Sequence, residues 1–176
     1  MARRATLVAD HDHAACIDAA LDRAAELCAR RGARLTRLRR RVLELVWQGH
    51  AAVKAYDLLA ELDRKGGAAK PPTVYRALDF LMAHGLVHRL ESLNAFIGCP
   101  QPDAPHDGQF LICDSCGHVS EFEAPAIQDA IEVQAADSEF AVERRTVEVR
   151  GVCRGCRPAT PSSASWSMSR LPIGSS

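Results

Sequence analysis

The sequence predicts an α+β protein in which a winged helix-turn-helix domain precedes a smaller α+β domain. Up to about residue 99, apolar residues recur at helical spacing in four segments, and two short extended segments follow. After a polar, proline-rich bridge at Pro100–Pro105, the pattern changes to strand, strand, helix and strand. Two Cys-x-x-Cys pairs lie within this second part.

The first three helices follow from apolar positions that recur every three or four residues. The first covers about Ala14–Arg31, and the third covers about Lys54–Lys65. Thr36 can cap the second helix, because its hydroxyl can accept a hydrogen bond from an amide of the first turn. Arg37 and Arg39–Arg41 surround that helix. Beside a recognition helix, this pattern favours contacts of some of these arginines to a DNA backbone over simple solvation.

The fourth helix is predicted to be the recognition helix. It begins at Pro71, because the first turn of a helix does not use the missing N–H group, and it ends before Gly85. Its outer face brings Thr73, Tyr75 and Arg76 to the positive end of the helix dipole. Such a surface suits phosphates and guanine edges. The alternative is an ordinary amphipathic helix with a solvated face.

Two short strands, Leu86–Leu90 and Ala95–Cys99, follow the fourth helix and are predicted to form the wing. Tyr56, at the start of the third helix, is a candidate for an exposed aromatic side chain on the DNA side. Its alternative interpretation is a half-buried structural tyrosine.

The second part is predicted to contain strands at Gln109–Cys113 and His118–Phe122, a helix at Ala126–Ala136, and a strand within Ala141–Val152. We therefore expect a flexible tail at 1–13, a winged-helix domain at 14–99, a hinge at 100–107, and a second domain at 108–156. The Pro-, Ser- and Ala-rich segment 157–176 is predicted to be disordered.

Charge and composition narrow the class of protein. The 176 residues carry no net formal charge, but residues 1–94 hold 16 basic and 11 acidic residues, whereas the remainder holds 6 and 11. The basic first part indicates a polyanionic partner. No segment reaches the ~18–20 apolar residues of a membrane helix. No secretory signal is visible at the N-terminus, so we expect a cytoplasmic protein without a membrane partner.

The two cysteine pairs are the strongest chemical signal in the sequence. Seven cysteines without a secretory signal do not indicate a disulfide framework. Cys113, Cys116, Cys153 and Cys156 can complete a tetrahedral structural zinc site, which closes around the metal and stabilises the fold. Thiol oxidoreductase chemistry is the alternative, but it needs a single pair at the start of a helix.

A second set of possible ligands is scattered along the chain. His88 lies on the wing, Cys99 at the domain boundary, His106 in the bridge, and Glu121 on a strand of the second domain. A metal held by these four side chains would join the two domains in one orientation, as a metal sensor requires.

Five segments resemble the ferric uptake regulator family, most closely its zinc-sensing branch. They are AYDLL at Ala55–Leu59, KPPTVYRALDFL at Lys70–Leu81, GLVHRLES at Gly85–Ser92, LICDSCG at Leu111–Gly117 and GVCRGC at Gly151–Cys156. The resemblance covers about residues 20–156. It implies a homodimer in which the winged-helix domains bind double-stranded operator DNA and the α+β domains dimerise.

The resemblance also implies roles for the residues already selected. The four paired cysteines correspond to a structural zinc site, and His88, Cys99, His106 and Glu121 to the regulatory site. DNA contacts correspond to Tyr56, Tyr75 and Arg76, beside which we place Thr73. Two zinc ions per chain are therefore expected.

The regulatory metal can be argued from the ligands themselves. The thiolate of Cys99 favours zinc over iron(II), whose sensors tend toward nitrogen and oxygen ligands. We therefore expect a zinc-responsive repressor of zinc-uptake genes, not an enzyme, with no small organic ligand. An iron- or peroxide-sensing relative, a thiol oxidoreductase and a zinc-stabilised protein-interaction module are the alternatives.

Overall fold

The computed structural model describes residues 13–49, 51–64, 70–103 and 106–157. Its elements are α1 (His13–Arg30), α2 (Arg37–Trp47), α3 (Ala55–Arg64), α4 (Pro71–Ala83), β1 (Val87–Leu90), a short 3-10 helix (Glu91–Leu93), β2 (Ala95–Gly98), β3 (Gly108–Cys113), β4 (Val119–Glu121), α5 (Pro125–Asp137) and β5 (Thr146–Gly151). This order confirms the predicted α+β class. Apart from His13 and Arg157, the two predicted tails lie outside the described residues. Within the described ranges, no helix has the length and apolar character needed to cross a membrane.

Helices α1–α4 pack around one apolar core and form the helix-turn-helix unit. The Thr36 hydroxyl accepts a hydrogen bond from the Arg39 amide at 3.4 Å, which caps α2 as predicted. Each helix buries one face, as its apolar spacing predicts. The core includes Leu21, Leu27, Val42, Leu43, Val46, Leu58, Leu62, Val74, Leu78 and Leu81.

The wing, Val87–Gly98, is the hairpin β1–β2 with its turn. The strands pair antiparallel from Val87 opposite Gly98 to Leu90 opposite Ala95. Val53, just before α3, adds a third short pairing, because it exchanges backbone hydrogen bonds with Phe96 at 2.9 and 2.8 Å. The Trp47 indole lies so close to Gly98 that an added Cβ would overlap it. The wing is therefore fixed to the end of α2.

The second half contains a three-stranded sheet in the order β4-β3-β5. Strand β3 pairs antiparallel with β4 and parallel with β5, from Gly108 opposite Thr146 to Cys113 opposite Gly151. A parallel pair requires a long crossover connection, and α5 lies within that connection. The sequence predicted the order of these elements, but it did not predict that β5 runs parallel to β3.

A second apolar cluster joins the two halves. Leu90 of the wing is buried with Phe110, Ile112 and Val119 of the second sheet. Ala51 also forms an isolated β-bridge with His118. The wing therefore lies directly against the sheet, which brings side chains from the two halves together.

Candidate metal centres and DNA-facing surface

Within the described residues, two groups of side chains place their possible metal-ligating atoms within 4.8 Å of one another. They contain the same eight residues that the sequence analysis selected. One group is Cys113, Cys116, Cys153 and Cys156, and the other is His88, Cys99, His106 and Glu121.

The four-cysteine cluster is assembled by the parallel pairing of β3 and β5. Cys113 ends β3, and Cys153 follows β5 by two residues. Gly117 has a positive φ of +71° and donates a backbone hydrogen bond to the Cys113 carbonyl at 2.9 Å, which closes the first turn. The Sγ atoms of Cys116 and Cys153 lie 3.8 Å apart. A tetrahedral site with ~2.3 Å zinc–sulfur bonds requires sulfur atoms about 3.8 Å apart.

The protonation of these thiols fits a cation site. Amide hydrogen bonds, first from Cys153 and then from Cys116, lower the pKa of Cys113 to about 6. Interactions with the Cys116 and Cys153 side chains raise the pKa of Cys156 to about 12. One thiol of the set therefore ionises readily and another resists ionisation, and a bound divalent cation would favour the thiolate form of both.

The redox interpretation of these pairs finds no support in the geometry. The first pair lies in the turn between β3 and β4, and the second lies in a turn after β5, so neither pair opens a helix. Amide hydrogen bonds lower the pKa of Cys113, but among the described residues neither pair is followed by the helix on which a thioredoxin-like pair lies.

The second cluster lies where the wing meets the sheet. His88 comes from β1, Cys99 follows β2, and Glu121 ends β4. Nε2 of His106 lies 2.9 Å from Oε1 of Glu121 and 3.5 Å from the Cys99 sulfur. Nε2 of His88 lies 3.2 Å from the same carboxylate oxygen, but its orientation makes no hydrogen bond. The His88 nitrogen and the Glu121 oxygen are therefore close but not hydrogen-bonded.

Two buried polar atoms of this second cluster lack a hydrogen-bond partner among the described residues. They are Nε2 of His88 and Oε2 of Glu121. Burial, and secondly the Glu121 carboxylate, raise the pKa of Cys99 to about 12. Buried polar atoms without partners are costly, and a divalent cation would satisfy them. Two nitrogens, one sulfur and one carboxylate suit tetrahedral zinc, so the residues fit this metal.

Phe110 and Gly108 support His88 from the sheet side. The Phe110 ring meets the His88 ring edge-on, with centroids 5.3 Å apart. A Cβ at Gly108 would overlap the Phe110 ring. Glycine at this position therefore allows the phenyl ring to pack beneath the candidate ligand, although no sequence pattern marked it.

The predicted DNA-contacting side chains lie on the outer surfaces of α3 and α4. Thr73, Tyr75 and Arg76 are exposed on the first turns of α4, whereas Val74 is buried. Tyr56 at the start of α3 is 78% exposed. That exposure removes the interpretation of Tyr56 as a half-buried structural tyrosine.

Three of the four arginines around α2 have partners within the protein. The Arg39 guanidinium lies 3.5 Å from the Phe80 ring centroid and donates to the Arg34 carbonyl at 2.7 Å. Arg41 pairs with Glu44 at 2.5 Å, and Arg40 lies 3.8 Å from Asp22. Contacts of some of these arginines to a DNA backbone stay a prediction, for which Arg37 and Arg40 are the exposed candidates.

Polar contacts around the bridge were not predicted from the sequence. Asp103 lies 2.9 Å from Arg30 of α1, and Arg23 donates to the Pro100 carbonyl at 2.9 Å. Arg145 pairs with Asp107, next to His106, at 2.7 Å. The partners are 38 to 77 residues apart, so no local pattern could have identified them.

Known proteins resemble this chain in both sequence and fold. The model of the ferric uptake regulator family matches residues 30–150. The zinc uptake regulation protein of Escherichia coli (strain K12) is 43% identical over 137 residues, which is 77% of this chain and 80% of that protein. A zinc uptake regulator complexed with zinc and DNA superposes with a TM-score of 0.76 at 42% identity, covering 80% of this chain and 94% of that one. The crystal structure of holo XcZur superposes with a TM-score of 0.74 at 43% identity, covering 79% and 97%. The chain belongs to the ferric uptake regulator family.

Proposed function

We propose that this protein is a zinc-responsive transcriptional repressor of zinc-uptake genes, and not an enzyme. The observation that carries this proposal is the cluster of His88, Cys99, His106 and Glu121 between the wing and the second sheet. The cluster occurs in a chain that is 43% identical to a zinc uptake regulation protein. Because its residues come from both halves, metal binding at this cluster would be coupled to the relative orientation of the halves.

Two zinc ions per chain are proposed, one at each cluster. The four cysteines would hold a structural ion, because a complete set of thiolates leaves no open position. The mixed cluster would hold the regulatory ion, and there Cys99 supplies the soft ligand that favours zinc over iron(II). When bound, this ion would supply bonds that link His88 of the wing to Glu121 of the sheet.

The residues around the regulatory cluster orient α4. His88 lies on β1, which begins four residues after α4 ends, so a fixed His88 also fixes the start of the wing. Helix α4 would present Thr73, Tyr75 and Arg76 to the major groove of double-stranded operator DNA, with Tyr56 of α3 beside them. By restricting the relative motion of the two halves, the regulatory ion would raise the fraction of molecules in the conformation that binds DNA.

A homodimer is proposed from the exposed apolar surface of the second half. Helix α5 has no buried residue. The large exposed hydrophobic side chains among the described residues are the two DNA-facing tyrosines and six residues of the second half: Leu111, Val133, Phe140, Val142, Val149 and Val152. A grouping of this kind indicates a surface that a partner covers. The proposed units are thus 14–99 for DNA binding, 100–107 as a hinge and 108–156 for dimerisation.

Metal analysis and DNA binding test the proposal together. The purified full chain should carry two zinc ions, one of which a mild chelator removes. In the presence of zinc, it should bind one DNA sequence preferentially from a library of random duplexes. The duplex with this enriched sequence is called the selected duplex. Removal of the labile ion should weaken binding to this duplex, and zinc should restore it. Iron in place of labile zinc, or no enrichment of any duplex, would contradict the proposal.

A further inference from the structure

The wing has a second polar connection to the sheet, away from the candidate metal ligands. Glu148 lies on β5, and its carboxylate accepts hydrogen bonds from two backbone amides of the wing turn. The Glu91 amide donates to Oε1 at 2.7 Å, and the Ser92 amide donates to Oε2 at 3.1 Å. Each carboxylate oxygen thus has its own donor. Hydrogen bonds of this kind to an ionised acceptor are stronger than neutral ones.

The wing turn that Glu148 contacts is held in shape by its own side chains. Arg89 lies 3.1 Å from the Glu91 carboxylate and donates to Oδ1 of Asn94 at 3.1 Å. Asn94 has a φ of 47°, in the left-handed region that asparagine tolerates. The two amides therefore point at Glu148 from a turn already fixed by these contacts.

Glu148 and the candidate ligand Glu121 flank one buried side chain of the sheet. Phe110 on β3 lies opposite Glu121 on β4 and opposite Glu148 on β5. Side chains directly opposite one another project from the same face of a sheet. Two carboxylates therefore reach the wing from one face, on either side of Phe110. Glu121 meets a possible metal ligand, whereas Glu148 meets amide hydrogens and needs no metal.

We propose that Glu148 is a positioning residue that holds the wing on the sheet without metal and so sets how much zinc the protein needs for DNA binding. This inference rests on the proposed function. In a chain without regulatory zinc, the contact keeps part of the population in the orientation that zinc favours. Less of the binding free energy of zinc is then spent on aligning the two halves.

Three variants of the full-length protein test this role. Glu148→Ala removes both hydrogen bonds, and Glu148→Gln keeps one acceptor oxygen without the charge. Glu143→Ala, an exposed glutamate just before β5, is the matched control. Each variant is measured for zinc content, oligomeric mass, amide hydrogen exchange across Val87–Ala95 and affinity for the selected duplex during a zinc titration.

For Glu148→Ala we expect unchanged zinc content and mass, and faster exchange of the Glu91 and Ser92 amides. Half-maximal duplex binding should need roughly tenfold more zinc, and affinity at low zinc should fall roughly tenfold. Glu148→Gln should lie between this variant and wild type, and Glu143→Ala should match wild type. The same loss of affinity should appear in a Cys99→Ser background, because the contact does not depend on the metal.

Unchanged hydrogen exchange, or unchanged zinc dependence of duplex binding, would overturn the inference. So would loss of zinc or of the dimer in Glu148→Ala, because the glutamate would then be a general structural residue. If wild-type protein shows no zinc-dependent DNA binding, the proposed function fails. Hydrogen exchange would then still decide whether Glu148 holds the wing.

Discussion

Cys99 supplies the sulfur of the cluster between the two halves. It is buried at the end of the wing, and its amide donates a hydrogen bond to the Leu86 carbonyl at 3.0 Å. Because burial and Glu121 raise its pKa to about 12, the thiol stays protonated at neutral pH until a cation displaces the proton. Without metal this sulfur is a protonated core atom, and a bound cation would convert it to a thiolate ligand.

The Cys99→Ser variant should lose zinc regulation and keep its fold. Its main core and the four-cysteine cluster are untouched, so we expect a dimer with one zinc per chain. The gain in DNA affinity on adding zinc should fall by ~1–3 kcal/mol, the usual size of such a coupling. Cys16→Ser, outside both clusters, is the control. A Cys99→Ser protein that holds two zinc ions and responds normally would remove this cluster from the mechanism.

Arg76 is the exposed guanidinium on the proposed DNA-reading face. Arg76→Ala should weaken binding to the selected duplex by ~1–3 kcal/mol, because one base or phosphate contact is lost. Tyr75→Ala should also weaken binding. Fluorescence anisotropy at fixed salt and zinc measures both effects, and Arg144→Ala in the second half should bind as wild type does. Wild-type affinity in both helix variants would mean that another surface reads the DNA.

Among the elements, α2 connects the helical core to the wing. Its buried face contains Val42, Leu43, Leu45 and Val46, and Trp47 at its end packs against Gly98 of β2. Its first turn relies on one side-chain cap from Thr36. The stability of this helix start therefore bears on both the core and the position of the wing.

Removal of the cap should lower stability without changing metal binding. Thr36→Ala leaves the Arg39 amide without its side-chain acceptor, which typically costs about 1 kcal/mol of unfolding free energy. Denaturant unfolding of the zinc-loaded protein measures this loss. Thr36→Ser keeps the hydroxyl and should restore most of the stability. Equal stability of the alanine and serine variants would show that water replaces the cap at no cost.

At the scale of the whole molecule, the second half has only a small apolar core of its own. Apart from Cys113, its buried apolar residues among those described are Phe110, Ile112 and Val119, which cluster with Leu90 of the wing, and α5 has none. The four-cysteine cluster joins the ends of β3 and β5, and Arg150 reinforces this join through hydrogen bonds to Asp114 at 2.6 and 2.9 Å. Metal and partner chain are thus both expected to contribute to the stability of this half.

Cys113→Ser or Cys153→Ser should therefore unfold the second half and abolish dimerisation, because zinc binding at this cluster is part of the folding free energy. Sedimentation gives the mass, and circular dichroism gives the loss of structure. Strong chelation of wild-type protein should have the same effect, and excess zinc should reverse it. Either variant remaining a dimer of wild-type thermal stability would refute the structural role of the cluster.

Local sequence determined much of this protein. The 3.6-residue apolar period indicated each helix, Thr36 indicated the start of α2, and the change of pattern after Cys99 indicated the second half, because these signals depend on neighbours in the chain. The two cysteine pairs indicated a metal cluster because each pair is already close within one turn.

The tertiary structure alone decided the contacts between distant segments. The parallel pairing of β5 with β3 and the contact of Glu148 with the wing turn join residues 38 to 57 positions apart. On a strand whose side chains alternate between the two faces of a sheet, the residues next to a glutamate do not indicate which distant group it contacts. Its role depends on which strand lies beside β3 and on where the wing packs. The packing of the wing depends on the contact between the buried residues Leu90 and Phe110, which are distant in the sequence.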